Sequence, residues 1–511
     1  MNRARLSLQT AHGLTLLLLV WRLGIFLRFG WRALTWRYEL DYGEGIVWQQ
    51  ADMMLTPEAY GGIDGFPAIV FHYPPLYHLA TRAVSALAGV DMLFAGRAIS
   101  IGSMLLAALM VAAIIMRTIP GERSRASRIS GCVAGGLLVF SFAPVSFWPA
   151  FMRVDTLAVA LGLGGFWLGL KAFERPALIY PACLFFVAAV FTKQTALPAP
   201  AAVFLLMLWL RPGLAIRGIL TCLVAGIAIA AILGAITHGG FLRHILAYNI
   251  NTIDLGQINL VIQVVENNVV FFALAILAIW WRISRFRARN GAFFARCLQA
   301  RPADIAWTGV LFYLATTSLM LVTILKSGSS VNYMLEWVMV VAILVGSGVA
   351  DTLAAVRQSS SLKPLGNALV AGSFAIPAML AAQILLPGIA EPNFDRVWSG
   401  ARAGEMAALS EKIRDASKPV ISDDMVILRR SGKPVLWEPA IFTQLAKTGA
   451  WDAAPFVARI LAGDFALFLT VGDRGDPLYD SRYSEAIADA MDRAYPVREH
   501  LAGYTLHMPT P

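Results

Sequence analysis

Charge is scarce in this chain: 14% of its 511 residues are Asp, Glu, Lys or Arg, while 58% are hydrophobic and mean hydropathy is +0.64. That balance excludes a soluble globular protein of this length. Cysteine is nearly absent. Cys132, Cys183, Cys222 and Cys297 fall in apolar runs or in the basic segments between them, so they offer neither a disulfide framework nor metal-ligand spacing. Residues 391–511 lack a G-x-G-x-x-G, which leaves a nucleotide site there unsupported. No two-fold internal repeat is visible, against a repeat-built transporter. No small-residue cleavage site follows the first apolar run from Leu14; Trp21, Phe26 and Trp31 do, with Arg3 and Arg5 ahead of the run. This is the pattern of an uncleaved signal anchor.

What the chain has instead is long continuous apolar runs. Runs of about 18–20 apolar residues suffice for a helix to cross a bilayer, and continuity argues for helices rather than barrel strands. The runs predict eleven spans, near 12–29, 93–117, 130–148, 154–171, 178–192, 196–210, 217–237, 266–283, 305–325, 332–350 and 365–387, the fifth and sixth short enough for a hairpin. The net charge of +10 clusters between them. One set of loops carries Arg117, Arg123, Arg125 and Arg128, then Lys171 and Arg175, then Arg211 and Arg217, then six arginines within 282–301. The other set carries isolated Arg153, Lys193, Arg243 and Lys326. By the positive-inside rule the N-terminus is cytoplasmic and the C-terminus outside. Such charge needs no nucleic-acid partner.

Residues 1–387 thus read as a membrane domain and 388–511 as a small outer α/β domain. In the latter, "AGEMAALSEKIRDA" has helical period, "PVISDD" and "KPVLWE" read as short strands, and "FALFLTV" as a buried strand. The first outer loop, 30–92, predicts two surface helices. One starts at "IVWQQADMML" with Val47, Ala51 and Met54 on one face; the other follows Pro75 and puts His78, Arg82 and Ser85 on its polar face. Both are expected to lie on the membrane surface.

Polar residues gather at the outer ends of the spans: Asp41 and Glu44 in "LDYGEG", Arg153 and Asp155 in "FMRVD", Lys193 and Gln194 in "FTKQT", and Lys326, Asn332, Tyr333 and Glu336 in "LKSGSSVNYMLEW". Ionisable groups at that depth cost a few kcal/mol each. Bland readings stand beside the functional ones. Asp41 and Glu44 suit a helix start; Arg153 and Asp155, or Lys326 and Glu336, suit structural pairs; Lys193 suits snorkelling. His72 and His78 stand at His-x5-His spacing without the rest of a ligand set. Together the acids and cations suit glycosyl transfer from a lipid phosphate. A carboxylate takes the acceptor's proton, and cations stabilise the departing phosphate.

These pieces, with "HYPPLYHL", "MRVDTLAVAL", "TKQTAL" and "ISDDMVILRRSGKPVLWEP", resemble the GT-C superfamily of integral-membrane glycosyltransferases. The resemblance is to the branch of protein O-mannosyltransferases and aminoarabinose-lipid A transferases. It implies an all-α polytopic membrane fold with a small α/β extracytoplasmic domain, in a bacterial plasma membrane. It implies an inverting transferase with a polyprenyl-phosphate sugar as donor and a glycan, lipid or protein as acceptor. The catalytic set it implies is Asp41, Glu44 and Asp155. Donor-phosphate binding falls to Lys326, Arg153, Lys193, Asn332 and Tyr333, and substrate positioning to Glu336, His72, Tyr73 and Gln194. No metal ligand is assigned, and the resemblance firmly implies no cofactor while leaving room for a divalent metal. The relatives open the loop with an Asp-Glu pair, whereas two residues separate Asp41 from Glu44. Asp41 is the expected base because the relatives' acid leads its pair. The competing functions are a lipid flippase or transporter, and a noncatalytic sensor or assembly factor.

Overall fold

The computed structural model describes residues 2–249, 251–290, 301–358, 364–385, 394 and 397–510. Cys297, residues 291–300 of the basic run 282–301 and the expected boundary at 387–388 lie outside them.

In chain order the helices before the outer unit are α1 (Asn2–Thr35), α2 (Glu44–Met53), α3 (Leu76–Ala88), α4 (Met92–Thr118), α5 (Arg125–Leu138), α6 (Ala143–Phe147), α7 (Asp155–Ala172), α8 (Ile179–Thr192), α9 (Pro198–Leu210), α10 (Pro212–Ile236), α11 (Gly240–Leu242), α12 (Ile258–Asn267), α13 (Val269–Asn290), α14 (Pro302–Met320), α15 (Leu335–Gln358) and α16 (Pro364–Leu385). Five segments are long and apolar enough to cross a membrane: Thr10–Thr35, Met92–Thr118, Pro212–Ile236, Pro302–Leu325 and Val331–Ala355. Two bent pairs, Arg125–Ser141 with Ala143–Ala150 and Leu255–Asn267 with Val269–Arg285, raise that number to seven. The chain is an integral membrane protein. Eleven spans were expected, and five to seven segments among the described residues meet both the length and the apolarity of a crossing helix. The stretch near 154–171 is the 18-residue α7, and those near 178–192 and 196–210 are shorter apolar helices.

Burial sorts these helices. Within α15, Val338 to Leu344 are all buried, so this apolar run faces protein on every side. It is seated by small residues. A Cβ on Gly135 of α5 would lie 3.1 Å from Gly346 Cα, and one on Gly131 would lie 2.6 Å from Ala350 Cβ. Close backbone approach of this kind replaces the hydrophobic drive that lipid does not supply. The apolar window of α10, by contrast, has no buried residue.

The C-terminal unit holds α17 (Gly400–Asp415), α18 (Met425–Arg430), α19 (Pro439–Lys447), α20 (Ala454–Leu461), α21 (Pro477–Arg482) and α22 (Glu485–Ala494). Its sheet comprises β1 (Val420–Ser422), β2 (Leu467–Thr470), β3 (Val497–Leu501) and β4 (Tyr504–Met508), ordered β1-β2-β4-β3. β1 and β2 are parallel; β4 is antiparallel to both β2 and β3. The helix at 400–415 and the strands in "PVISDD" and "FALFLTV" stand where the pattern put them. "KPVLWE" is no sheet strand, for Trp437 makes only an isolated bridge to Ala68. The β3–β4 hairpin escaped the pattern because Val497–Leu501 is polar and half exposed. Its turn, Ala502-Gly503, has both φ angles positive, 55° and 78°, as a two-residue hairpin turn requires.

The first loop packs against protein more than its amphipathic pattern suggests. Nine of the ten residues of α2 are buried, and His78 on the expected polar face of α3 is fully buried. Burial holds the His78 imidazole neutral, with its pKa lowered to about 3. The physical reason is that the C-terminal unit covers the loop. Ile46, Val47, Trp48 and Phe71 share one core with Met406, Met425, Val426 and Leu469. A Cβ on Gly45 would lie 2.4 Å from the Met425 carbonyl carbon, so the glycine lets α18 sit directly on α2.

Candidate active site

The turn 39–45 places two acids in different surroundings. Glu44 is fully buried. Its Oε1 accepts from Arg97 Nε and Met152 N, each at 2.8 Å, and its Oε2 from Arg97 Nη2 at 2.6 Å and Leu40 N at 2.8 Å. Arg97, also fully buried, gives its remaining N–H groups to the carbonyls of Ala33, Trp36 and Tyr38. Both partners are therefore saturated with hydrogen bonds.

Asp41 is half-buried. Its Oδ2 faces Arg153 Nη1 at 3.2 Å and accepts from Gly43 N at 3.2 Å. Its Oδ1 has no hydrogen-bond partner among the described residues. Gly43 makes the pairing possible, since a Cβ there would come within 1.5 Å of Arg153 Nη1. Burial pushes the Asp41 carboxyl above its ordinary pKa, and the Arg153 guanidinium opposes that rise.

Below this pair lies a second cluster. Asp155 heads α7 and is buried. Its Oδ1 accepts from Lys193 Nζ at 2.6 Å and Asn332 Nδ2 at 2.9 Å, and its Oδ2 from Trp148 Nε1 at 3.0 Å. Lys193 ends α8 and lies 4.5 Å from the Tyr333 ring centroid. Glu336, on the first turn of α15, accepts from Tyr313 Oη at 2.6 Å. Asp155, Lys193, Asn332, Tyr333 and Glu336 line one pocket with Thr323. Three buried polar atoms nearby have no partner: Arg153 Nε, Asn332 Oδ1 and Gln194 Oε1. Sealed polar atoms of this kind are uncommon and costly unless something satisfies them.

The structure thus brings together Asp41, Arg153, Asp155, Lys193, Asn332, Tyr333 and Glu336. Tyr73 belongs with them, as the charges of Arg153, Asp155 and Lys193 all act on its phenol. Gln194 Nε2 donates to the His72 carbonyl at 2.9 Å, and His72 Nε2 faces Glu438 Oε2 at 3.4 Å. Lys326 stands apart. It follows pocket-lining Thr323 but does not line the pocket; its backbone bridges Ile253, and its ammonium contacts no described acid. Neither expected alternative pair forms: Arg153 goes to Asp41, and Lys326 does not reach Glu336. Among the described residues no group of three or more His, Cys, Asp or Glu could hold a metal.

Several residues of the site were not anticipated. Arg97 had one signal, a lone arginine entering an apolar run. Glu39 had none; it accepts from Met425 N at 3.1 Å, and burial raises its carboxyl far above the usual range. Arg482, 3.9 Å from the Tyr42 ring centroid and 3.1 Å from Asp423, comes from the far end of the sequence.

No family profile matches this chain, and no curated protein does. Solved structures do. ArnT from Cupriavidus metallidurans in the apo state aligns with TM-score 0.58 and 14% identity, over 96% of this chain and 97% of that one. The chain has the ArnT fold. The same ArnT bound to undecaprenyl phosphate aligns with TM-score 0.53 and 15% identity, over 89% and 93%. The match runs through the ArnT chain nearly end to end, so it takes in both the helical part and the sheet-bearing unit. The Archaeoglobus fulgidus oligosaccharyltransferase tethered with an acceptor peptide gives a weaker likeness, with TM-score 0.49 and 10% identity over 93% of this chain and 72% of that one.

Proposed function

We propose that the chain is an inverting glycosyltransferase that moves a sugar from a polyprenyl phosphate to an acceptor hydroxyl at the extracytoplasmic face. One observation carries the reading. A carboxylate with an open oxygen, Asp41, stands beside an arginine and above an acid–lysine–amide cluster that holds unsatisfied buried polar atoms. ArnT, which shares the fold, binds undecaprenyl phosphate, and a lipid phosphate is the chemistry those cations suit.

In this reading Asp41 takes the acceptor proton as the acceptor oxygen bonds to the anomeric carbon. The bond from that carbon to the phosphate oxygen breaks on the opposite face. The electron pair leaves with the polyprenyl phosphate, and Arg153 and Lys193 meet the added negative charge. Asp155 positions Lys193 and Asn332 rather than reacting. Glu44 is a positioning residue that fixes the turn through Arg97. Tyr333 and Asn332 border the phosphate, Lys326 approaches from the rim, and Glu336, His72, Tyr73 and Gln194 shape the sugar and acceptor sides. The acceptor is a glycan, lipid or protein of the envelope. Residues 1–387 form the catalytic membrane domain of a bacterial plasma-membrane protein, and 388–511 its outer domain.

The test is direct. Purified protein is incubated with polyprenyl-phosphate sugars and envelope extract, and release of polyprenyl phosphate is followed by mass spectrometry. The wild type is expected to release it, and Lys193→Met to do so on the order of 10²-fold more slowly. Equal rates in a folded variant would remove Lys193 from the phosphate site, and no release from any donor would sink the reading.

A further inference from the structure

The end of α4 away from Glu44 and Arg97 carries a feature that glycosyl transfer does not use. Arg117 lies in the last turn of α4, twenty residues beyond Arg97. At about 1.5 Å per residue the two are about 30 Å apart, which is about the hydrocarbon thickness of a bilayer. A cleft opens there between the end of α4, the turn that follows it, α5 and the start of α14. Its polar wall is Arg117, Glu122, Arg128 and Arg301, and Met116 and Ile119 line it on the apolar side.

The arginines of this wall are incompletely satisfied. The Nε–H groups of Arg117 and Arg128 are both sealed from solvent without a partner. Leaving a buried donor unmade is costly, more so on a charged group. Arg117 Nη2 pairs with Glu174, and Arg301 Nη1 with Glu122 at 2.8 Å. The latter pair is 60% and 70% exposed, so it contributes little and exchanges readily. Guanidinium forks match phosphate oxygens in geometry as well as charge.

We propose that this cleft binds the phosphate of an anionic membrane lipid, with its acyl chains on the Met116 side. Basic pockets between helices at headgroup depth suit such lipids. The inference rests on α4 crossing the membrane and is independent of the proposed transfer reaction. Glu122 is the competitor within the wall, displaced when the lipid phosphate takes Arg301. Inorganic phosphate shares the headgroup chemistry but gains nothing from the apolar side of the cleft.

Native mass spectrometry of the full chain in neutral detergent tests this, with phosphatidylglycerol, phosphatidylethanolamine or inorganic phosphate added. The wild type is expected to retain phosphatidylglycerol preferentially. Arg128→Gln should lower retention on the order of fivefold, and Arg117→Gln with Arg128→Gln by about that factor again. Glu122→Gln should raise it two- to fivefold, by about the same charge term, a gain that misfolding cannot mimic. Equal retention of phosphatidylethanolamine, equal binding of inorganic phosphate, or unchanged retention in Glu122→Gln and the arginine variants would each overturn the proposal. If the arginine variants fail to fold, Glu122→Gln alone decides.

Discussion

Two arginine–carboxylate pairs flank Gly43, and they differ in nearly everything but chemistry. Glu44 and Arg97 are both 0% exposed and spend every polar group on each other or on backbone. Asp41 and Arg153 are 21% and 17% exposed, meet at 3.2 Å, and leave a carboxylate oxygen and a guanidinium Nε–H unused. A sealed, saturated pair fixes geometry; breaking it strands a buried charge. A half-open pair keeps capacity for a proton or a phosphate and binds its partner less tightly. Residues three apart in one turn thus have opposite surroundings, one sealed and saturated and the other half-open, and in the proposed reaction the open one is the base.

The sharpest way to break the comparison is to neutralise each acid in turn. Asp41→Asn is expected to lose about 10²–10⁴-fold in turnover while purifying and melting like the wild type. Glu44→Gln is expected to cost about 3–5 kcal/mol of stability, seen as a lower unfolding midpoint and poor recovery of protein. A stable, inactive Glu44→Gln beside an active Asp41→Asn would reverse the assignment.

The sealed pair can also be removed whole. Arg97→Met or Glu44→Leu alone should each destabilise by about 3–5 kcal/mol, and the two together by much less. Full additivity in chemical denaturation would show that the pair is not the unit described.

Behind both acids, Asp424 caps α18, accepting from Ile427 N at 2.9 Å and Tyr504 Oη at 3.0 Å. Burial is the main cause that raises its pKa to about 6, from 3.8. The native state therefore holds this proton more tightly than the unfolded chain. Its stabilising contribution is complete below pH about 4 and is lost as pH rises through about 6. Asp424→Asn should gain up to about 3 kcal/mol over the wild type between pH 4 and 7. Parallel stability curves for the two proteins would contradict this.

The smallest effect expected is a displacement in pH. In the proposed reaction Asp41 must be ionised to act, and its pKa is raised by burial, so the acid limb of kcat/KM should lie above the ordinary carboxylate range. Arg153→Gln removes the opposing charge and should move that limb up by about one pH unit. An unmoved limb would mean that another group controls it.

Much of the architecture was legible in local pattern. Continuous apolar runs mark α1, α4, α10, α14 and α15, because a helix in lipid must satisfy its own backbone and present apolar side chains over its whole length. The helix at 400–415 and strands β1 and β2 follow from periodicity that spans a few residues. That polar residues of "LDYGEG", "FMRVD", "FTKQT" and "VNYMLEW" sit at one level was also readable, since each adjoins the same end of a span. The number of crossings is less legible, because α8 and α9 are apolar but short, and apolarity alone does not separate a crossing helix from a buried one.

The surroundings of each residue in the site were decided only by the tertiary structure. Nothing near Glu44 announces Arg97, 53 positions on, or the Met152 amide, 108 positions on. Nothing near His72 announces Glu438. Sequence fixes which residues can ionise and at what depth they lie, because hydropathy and helical period are local properties. Which acid is sealed and which stays open depends on partners that folding brings from distant parts of the chain, and on a C-terminal unit that buries the first loop. Desolvation and pairing energies fall off within a few ångströms, so only the folded neighbourhood could separate Asp41 from Glu44.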